Sequence, residues 1–396
     1  MAEATQETPV RSWSRVDGID LLRGLAIFFV LMNHVNMQLL FAHVPYTRGL
    51  PKQLVASLVW NGQQGVQIFF AVSGFLITST SLRRWKSLAH VSVANFYRLR
   101  FARIAPLLVG LLAILSVLHL AHVPHFVVRP ETGGLGRALV AALTFHVNLL
   151  EATRGYLPGS WDILWSLSVE ETFYFAFPWV CRLFGGGRLM IVLLLAFVLL
   201  GPFGRSVLAH GNPVWREYSY LGGMDAIAMG CLTAIALHGR TPSRAWLRLL
   251  GVAGGVLLVF CLAFSRTAYV WLPERTGLYM SMVGIAASML IAVAAQTAWR
   301  SPRVFLPLLM AGRRSYEIYL THMFVVIAMA AGFAVLGRAM WAVPVFFVAV
   351  IVVSGFLGEA VARFYSEPAN RWLRSRWHAG ATQMGSVVEE NEAVAR

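Results

Sequence analysis

A carboxylate beside an imidazole raises the base strength of the ring and fixes its tautomer, which is the arrangement general-base catalysis needs. This sequence offers one of each inside apolar runs: His34 near the far end of the run 16–40, and Glu170 in Trp165-Ser166-Leu167-Ser168-Val169-Glu170-Glu171. At 1.5 Å per residue the two lie about 9 and about 12 Å below the same end of their helices, so the spacing predicts a pair at similar depth. Adjacent helical residues cannot share a face, so of Glu170 and Glu171 at most one points squarely into a given cavity. Arg23 stands eleven residues before His34, about 16 Å along the helix and near the same face. It could line one channel with His34; snorkelling to the interface and a backbone-bonded imidazole are the plain alternatives. Arg98, Arg100 and Arg103 cluster before another run, and Arg100 and Arg103 at i and i+3 could grip phosphates bidentately, although position alone favours a topology signal. Gln67, Trp165 and Asp225 sit toward the outer ends of their runs and are the candidates for substrate contact, while Asp225 could equally pair with an arginine. The glycines in Gly65 to Gly74 read as helix-packing positions. Polar groups crowd Ser315-Tyr316-Glu317-Ile318-Tyr319-Leu320-Thr321-His322, beside Arg313 and Arg314, where an anionic cofactor could be met.

The elements that must hold these groups are membrane spans. The 396 residues are 58% hydrophobic and only 13% charged, against about 25% charged in a water-soluble domain, so a soluble enzyme is excluded. Mean hydropathy is +0.64. The net charge of +15 is spread as punctuation between apolar runs rather than as a basic face, which argues against nucleic acid and for topology signals. Ten runs are long enough to cross a bilayer as helices: 16–40, 65–82, 104–123, 162–184, 187–203, 218–238, 247–265, 277–298, 315–336 and 341–362. Residues 137–150 are shorter and read as a re-entrant or interfacial piece. If they do not cross, the arginine-rich loops all fall on one side and both termini are cytoplasmic. The polar lead into the first run lacks the marks of a cleaved export signal, so that run is expected to stay as a span. The expected organisation is a polar cytoplasmic segment at 1–15, one membrane domain at 16–376 and a disordered cytoplasmic tail at 377–396. Cys181, Cys231 and Cys261 are too widely spaced for a disulfide framework or a metal site and read as inert core residues. No internal repeat, phosphate loop or dinucleotide turn is evident, which weakens an inverted-repeat transporter.

With these residues in hand, the chain resembles the acyltransferase-3 family of membrane-bound O-acyltransferases. Arg23 and His34 match its Arg-x10-His motif, Arg100 and Arg103 its Arg-x-x-Arg motif, Trp165 to Glu170 its Trp-Ser-Leu-x-x-Glu segment, and Ser315-Tyr316 through His322 its Ser-Tyr-x-x-Tyr-Leu-x-His segment. The likeness runs from about residue 17 to 376, ending in Ser366-Glu367-Pro368-Ala369-Asn370-Arg371-Trp372. Glu317 departs from it, since a small or neutral residue is expected there. The resemblance implies an all-α polytopic protein that transfers an acyl group, typically acetyl, from cytoplasmic acyl-CoA to a carbohydrate hydroxyl at the outer face, with no metal. It implies His34 as base or transient acyl carrier, tuned by Glu170, with Arg23 at the thioester or the developing oxyanion. The donor falls to Arg98, Arg100, Arg103, Tyr316 and His322, and the acceptor to Gln67, Trp165 and Asp225. The expected setting is a bacterial inner membrane, with lipid, acyl-CoA and an envelope or exported polysaccharide as partners. A homo-oligomer is left open. Without the hydrolase-like domain fused to some relatives, a second acyl-transfer step would need a separate protein. A transporter using the same intramembrane charges and a subunit shuttling acyl groups to a separate outer enzyme are the rival readings.

Overall fold

The computed structural model describes residues 16–377 apart from 266, 268–275, 298, 336 and 338. The polar N-terminal segment and the tail from Thr382 lie outside the described residues. Ten long helices carry the fold: α1 (Asp17–Phe41), α2 (Gly62–Trp85), α3 (Val93–Leu120), α4 (Leu164–Phe184), α5 (Arg188–Ser206), α6 (Tyr220–Leu237), α7 (Arg244–Ala263), α8 (Leu278–Gln296), α9 (Ser315–Val335) and α10 (Val343–Val361). Each of the ten apolar runs is thus a helix. The fold is 83% helical with no strand among the described residues, an all-α polytopic architecture. Among the described residues, nine stretches are long and apolar enough to cross a membrane, and they contain every one of these helices except α4. That helix falls short because Glu170, Glu171 and Arg182 interrupt it. Residues 137–150 form no crossing helix: Gly134–Leu143 and Val147–Arg154 are separate pieces of 10 and 8 residues, far below the ~20 a span requires.

Hydroxyl side chains start several helices where the chain leaves a loop. Ser92, Ser219 and Ser243 accept from the amides of Asn95, Gly222 and Trp246, satisfying donors that the first turn leaves open. Asp17 and Asp20 in the first turn of α1 complement its dipole and bind Arg313 at 3.4 and 3.3 Å.

Helices α1, α2, α6 and α8 pack at the centre. Val252 and Val256 of α7, Leu199 of α5 and Phe356 of α10 leave more than half their surface uncovered, as lipid-facing side chains do. The three cysteines are buried and unpaired, as core residues.

Two crossings depend on glycine. A methyl on Gly74 of α2 would overlap the carbonyl oxygen of Ile227 in α6, and one on Gly230 of α6 would overlap that of Ala71. Replacing Gly74 by valine should therefore force these helices apart and destabilise the protein by about 1–3 kcal/mol, read as a lower unfolding midpoint in detergent. An unchanged midpoint would mean the crossing is not sterically tight. The second crossing joins α1 to the short helix Leu306–Arg313, where Gly24 meets the carbonyl of Leu308 and Gly312 that of Asp20. Ten residues separate Gly24 from His34, and ten separate Gly312 from His322. This contact thus starts α9 level with the middle of α1, and it brings the two histidines to one height.

Candidate functional site

A cavity of about 490 Å³ opens between the N-terminal half of α1, most of the length of α2, the start of α3, the middle of α4 and the first turns of α9. Its walls mix apolar side chains, Phe69, Leu76, Ile77 and Leu320 among them, with the hydroxyls of Ser73, Thr80, Ser166 and Tyr174, and its charged lining is dominated by Arg23, Arg83, Arg84, Arg100, Arg103 and Arg374. Such a vessel suits a ligand with an anionic head and an apolar arm.

Inside it, Glu170 is held through one oxygen. Its Oε1 accepts from the hydroxyls of Ser73 and Tyr174, the latter at 2.9 Å, and from Arg100 at 3.4 Å. Arg100 also binds Glu171 at 2.9 Å and lies 3.5 Å over the face of Tyr174. Three side chains, Ser73 of α2, Arg100 of α3 and Tyr174 of α4, thereby lock the carboxylates in place. Removing one partner of such a buried set leaves an uncompensated charge.

At the mouth the pattern reverses. Arg84 and Arg103 come from α2 and α3 and Arg374 from the helical residues 367–377 that follow α10, and Arg374 feels the positive charge of the other two. None has a carboxylate partner within 4.0 Å among the described residues, so their donors remain for an anion.

His34 lies elsewhere than the sequence predicts. Its partner is His322, not Glu170: Nε2 of His322 is 3.1 Å from Nδ1 of His34, and the ring centroids are 4.9 Å apart. The carbonyl of Val30 also lies 3.0 Å from that Nδ1. His322 is wholly buried, with Nδ1 at 2.7 Å from the carbonyl of Tyr319 and 3.2 Å from that of Ile318. One turn below, Tyr319 lines the cavity and meets the Ser166 hydroxyl at 2.6 Å. The imidazole pair therefore stands one helical turn beyond the closed end of the cavity, behind Tyr319 and Ser166.

These features accompany a match of residues 16–359 to the family model described as an acyltransferase domain. The chain belongs to the acyltransferase-3 family. Among curated relatives it is similar to the O-acetyltransferase OatA of Staphylococcus aureus (strain NCTC 8325 / PS 47), 22% identical over 368 residues that cover 89% of this chain and 57% of that protein. It is likewise similar to the peptidoglycan O-acetyltransferase OatA of Listeria monocytogenes (strain ATCC BAA-679 / EGD-e), 25% identical over 328 residues that cover 78% of this chain and 49% of that protein. The chain thus spans about half the length of the curated relatives it matches. No solved structure matches it.

In this acyltransferase domain the remaining expected site residues divide by location. Arg23 lines the cavity and pairs with Asp20 at 3.6 Å, and Tyr316 lines it with its hydroxyl on the carbonyl of Ile104 at 3.1 Å. Arg98 is exposed and outside it. Gln67 and Asp225 are also outside, in a buried knot: Gln67 donates to Asp225 at 2.8 Å, while Arg205 and Ser281 each donate to its other oxygen at 2.6 Å. Of the two alternatives for Asp225, the arginine pair is the one formed. Trp165 is buried and stacked on Tyr218, ring centroids 4.1 Å apart, rather than facing the cavity.

Sequence reasoning missed a carboxyl pair at the opposite end. Glu151 and Asp162 lie together under the loop before α4, where Tyr218 donates to Asp162 at 3.2 Å and the amide of Leu157 to Glu151 at 3.0 Å. Burial pushes Asp162 up to about 7, and burial with the charge of Asp162 pushes Glu151 up as well. Carboxyl groups raised on folding stabilise the protein while protonated and lose that contribution as pH rises through the folded value. The contribution is complete below about pH 4 and should be lost as pH rises from there toward 7, by on the order of 1 kcal/mol per pH unit, and Asp162→Asn should flatten that fall. Unfolding midpoints between pH 4 and 7 test this; equal slopes in the two proteins would count against a shared proton.

Proposed function

We propose that this membrane acyltransferase moves an acetyl group from acyl-CoA, bound at the arginine-lined side, to a hydroxyl of a cell-wall or exported carbohydrate. The observation that carries the proposal is the union of an unpaired arginine mouth, a cavity lined by apolar and hydroxyl side chains, and a hydrogen-bonded imidazole pair just past its end. The names of the relatives support a peptidoglycan-like acceptor. The side bearing Arg84, Arg103 and Arg374 is taken as cytoplasmic because basic loops stay inside, in the cytoplasmic membrane of a bacterium.

In this account Arg84, Arg103 and Arg374 hold the donor's phosphates, and the mixed apolar and hydroxyl walls take its arm toward Tyr319. Arg23, about 16 Å along α1 from His34, grips the donor within the cavity; that separation is too long for both side chains to serve one carbonyl. Glu170 and Glu171 hold Arg100 and shape the wall. His34 removes the proton from the acceptor hydroxyl as its oxygen bonds to the thioester carbon. The carbon–sulfur bond then breaks, and the departing thiolate takes the proton from His34. Tyr319 and Ser166 stand between cavity and imidazole, so thioester access requires them to part.

Membranes containing the full chain, given radiolabelled acetyl-CoA and peptidoglycan fragments or exported glycan, test the proposal. Alkali-labile label on the carbohydrate is expected, together with O-acetyl groups in surface glycans of producing cells that are missing from cells lacking the protein. Label that crosses the membrane without joining any glycan would instead identify a transporter.

A further inference from the structure

We propose that His322 is the positioning residue that fixes the tautomer of His34, leaving the lone pair of the His34 ring on Nε2. The inference rests on the base role of His34 given above. It follows from counting donors and acceptors around two rings. Nδ1 of His322 faces two carbonyl oxygens, at 2.7 and 3.2 Å, and carbonyls only accept. That nitrogen must carry the ring proton, so Nε2 of His322 holds a lone pair. Nδ1 of His34 then faces two acceptors as well, this Nε2 at 3.1 Å and the carbonyl of Val30 at 3.0 Å. It must therefore be the protonated nitrogen of His34. Nε2 of His34, which makes no hydrogen bond within the protein among the described residues, is left as the basic atom.

The arrangement does what a carboxylate does for a catalytic histidine, with a neutral partner. When His34 takes the acceptor's proton it becomes a cation whose Nδ1–H points at the lone pair of His322, and His322 is polarised by the Tyr319 carbonyl beyond it. A carboxylate in that wholly buried position would need its own counter-charge. Glu170, which might have filled the role, is already held by Ser73, Tyr174 and Arg100. A histidine that merely fills space would be indifferent to which of its nitrogens meets His34, and this predicts a measurable difference between two conservative variants. An asparagine amide can reproduce the Nδ1–H donor to the backbone but offers nothing at the Nε2 position; a glutamine can place an accepting oxygen near it.

The test uses the full chain in nanodiscs, as wild type, His322→Asn, His322→Gln and His34→Ala. Ring-15N histidine spectra are recorded, with His34 signals assigned by their loss in His34→Ala, and the rate of CoA release from acetyl-CoA is measured with carbohydrate acceptor present. Wild type and His322→Gln should show His34 protonated at Nδ1, with kcat within about tenfold of each other. His322→Asn should show the Nε2-protonated form appearing and kcat about 100- to 1,000-fold lower, while KM for acetyl-CoA stays within about twofold. An unchanged His34 tautomer with undiminished kcat in His322→Asn would overturn the inference. Equal loss of kcat in the Asn and Gln variants with the tautomer unmoved would also overturn it, leaving His322 a packing residue. Should His34→Ala release CoA as fast as wild type while the tautomer still shifts in His322→Asn, the base role of His34 falls and the tautomer assignment stands.

Discussion

His34→Ala should lower kcat for acetyl transfer by about a thousandfold or more while leaving KM for acetyl-CoA nearly unchanged. General-base assistance contributes roughly 10²–10⁴ in rate. The donor's anionic head is gripped by arginines at the far end of the cavity, a helical turn and more from the imidazole, so ground-state binding does not depend on the ring. The variant should fold normally, because His34 is only part-buried and its one side-chain partner, His322, keeps both backbone acceptors. Initial rates at saturating and limiting acetyl-CoA separate the two constants, and a loss smaller than about tenfold would remove His34 from the chemistry.

Removing the arginine trio should have the opposite kinetic signature. Charge-assisted hydrogen bonds contribute about 1.5–3 kcal/mol each, so Arg103→Ala with Arg374→Ala should raise KM for acetyl-CoA by about a hundredfold or more with kcat changed far less. The stability of this double variant is the distinguishing control. Arg374 sits in the field of Arg84 and Arg103, so deleting two of the three relieves repulsion, and the unfolding midpoint should hold or rise. Added salt should weaken donor binding in the wild type more than in the variant, as screening acts on a charge contact that the variant lacks. A fall in kcat with unchanged KM would place these arginines outside the donor site.

The fold was legible because a bilayer allows few solutions. Once ten apolar runs of spanning length are present, helices are the only form that satisfies their backbone, and the structure has a helix at each. Even the eleventh run was readable, since its 10- and 8-residue pieces are as short as its apolar stretch. The site was legible only in part. Residue type and motif spacing pick out Arg23, Arg100, Arg103, Glu170 and Tyr316, and all of them line the cavity. The partner of His34 was hidden because depth was counted from helix ends as though all spans began at one plane. The Gly24 and Gly312 contact raises the start of α9, so His322, not Glu170, arrives beside His34. Arg84 and Arg374 were hidden because an arginine that sets topology and one that binds phosphate look identical in sequence. What separates them is the lack of a carboxylate partner and convergence on one cavity, both properties of packing. Asp225 and Gln67 mislead for the same reason: intramembrane polarity signals a partner as readily as a ligand, and Arg205 lies too far along the chain to be paired with Asp225 by eye.

The central claim is that a thioester entering from the arginine side meets an acceptor hydroxyl at His34. Proteoliposomes with the protein in one known orientation test it most directly. Radiolabelled acetyl-CoA is supplied only at the face bearing Arg84, Arg103 and Arg374, and the glycan acceptor is confined to the opposite face. The account predicts O-acetylated glycan on that far side in wild type and none with His34→Ala. Acetylation that requires acetyl-CoA on the acceptor's own side, or that persists without His34, would contradict it.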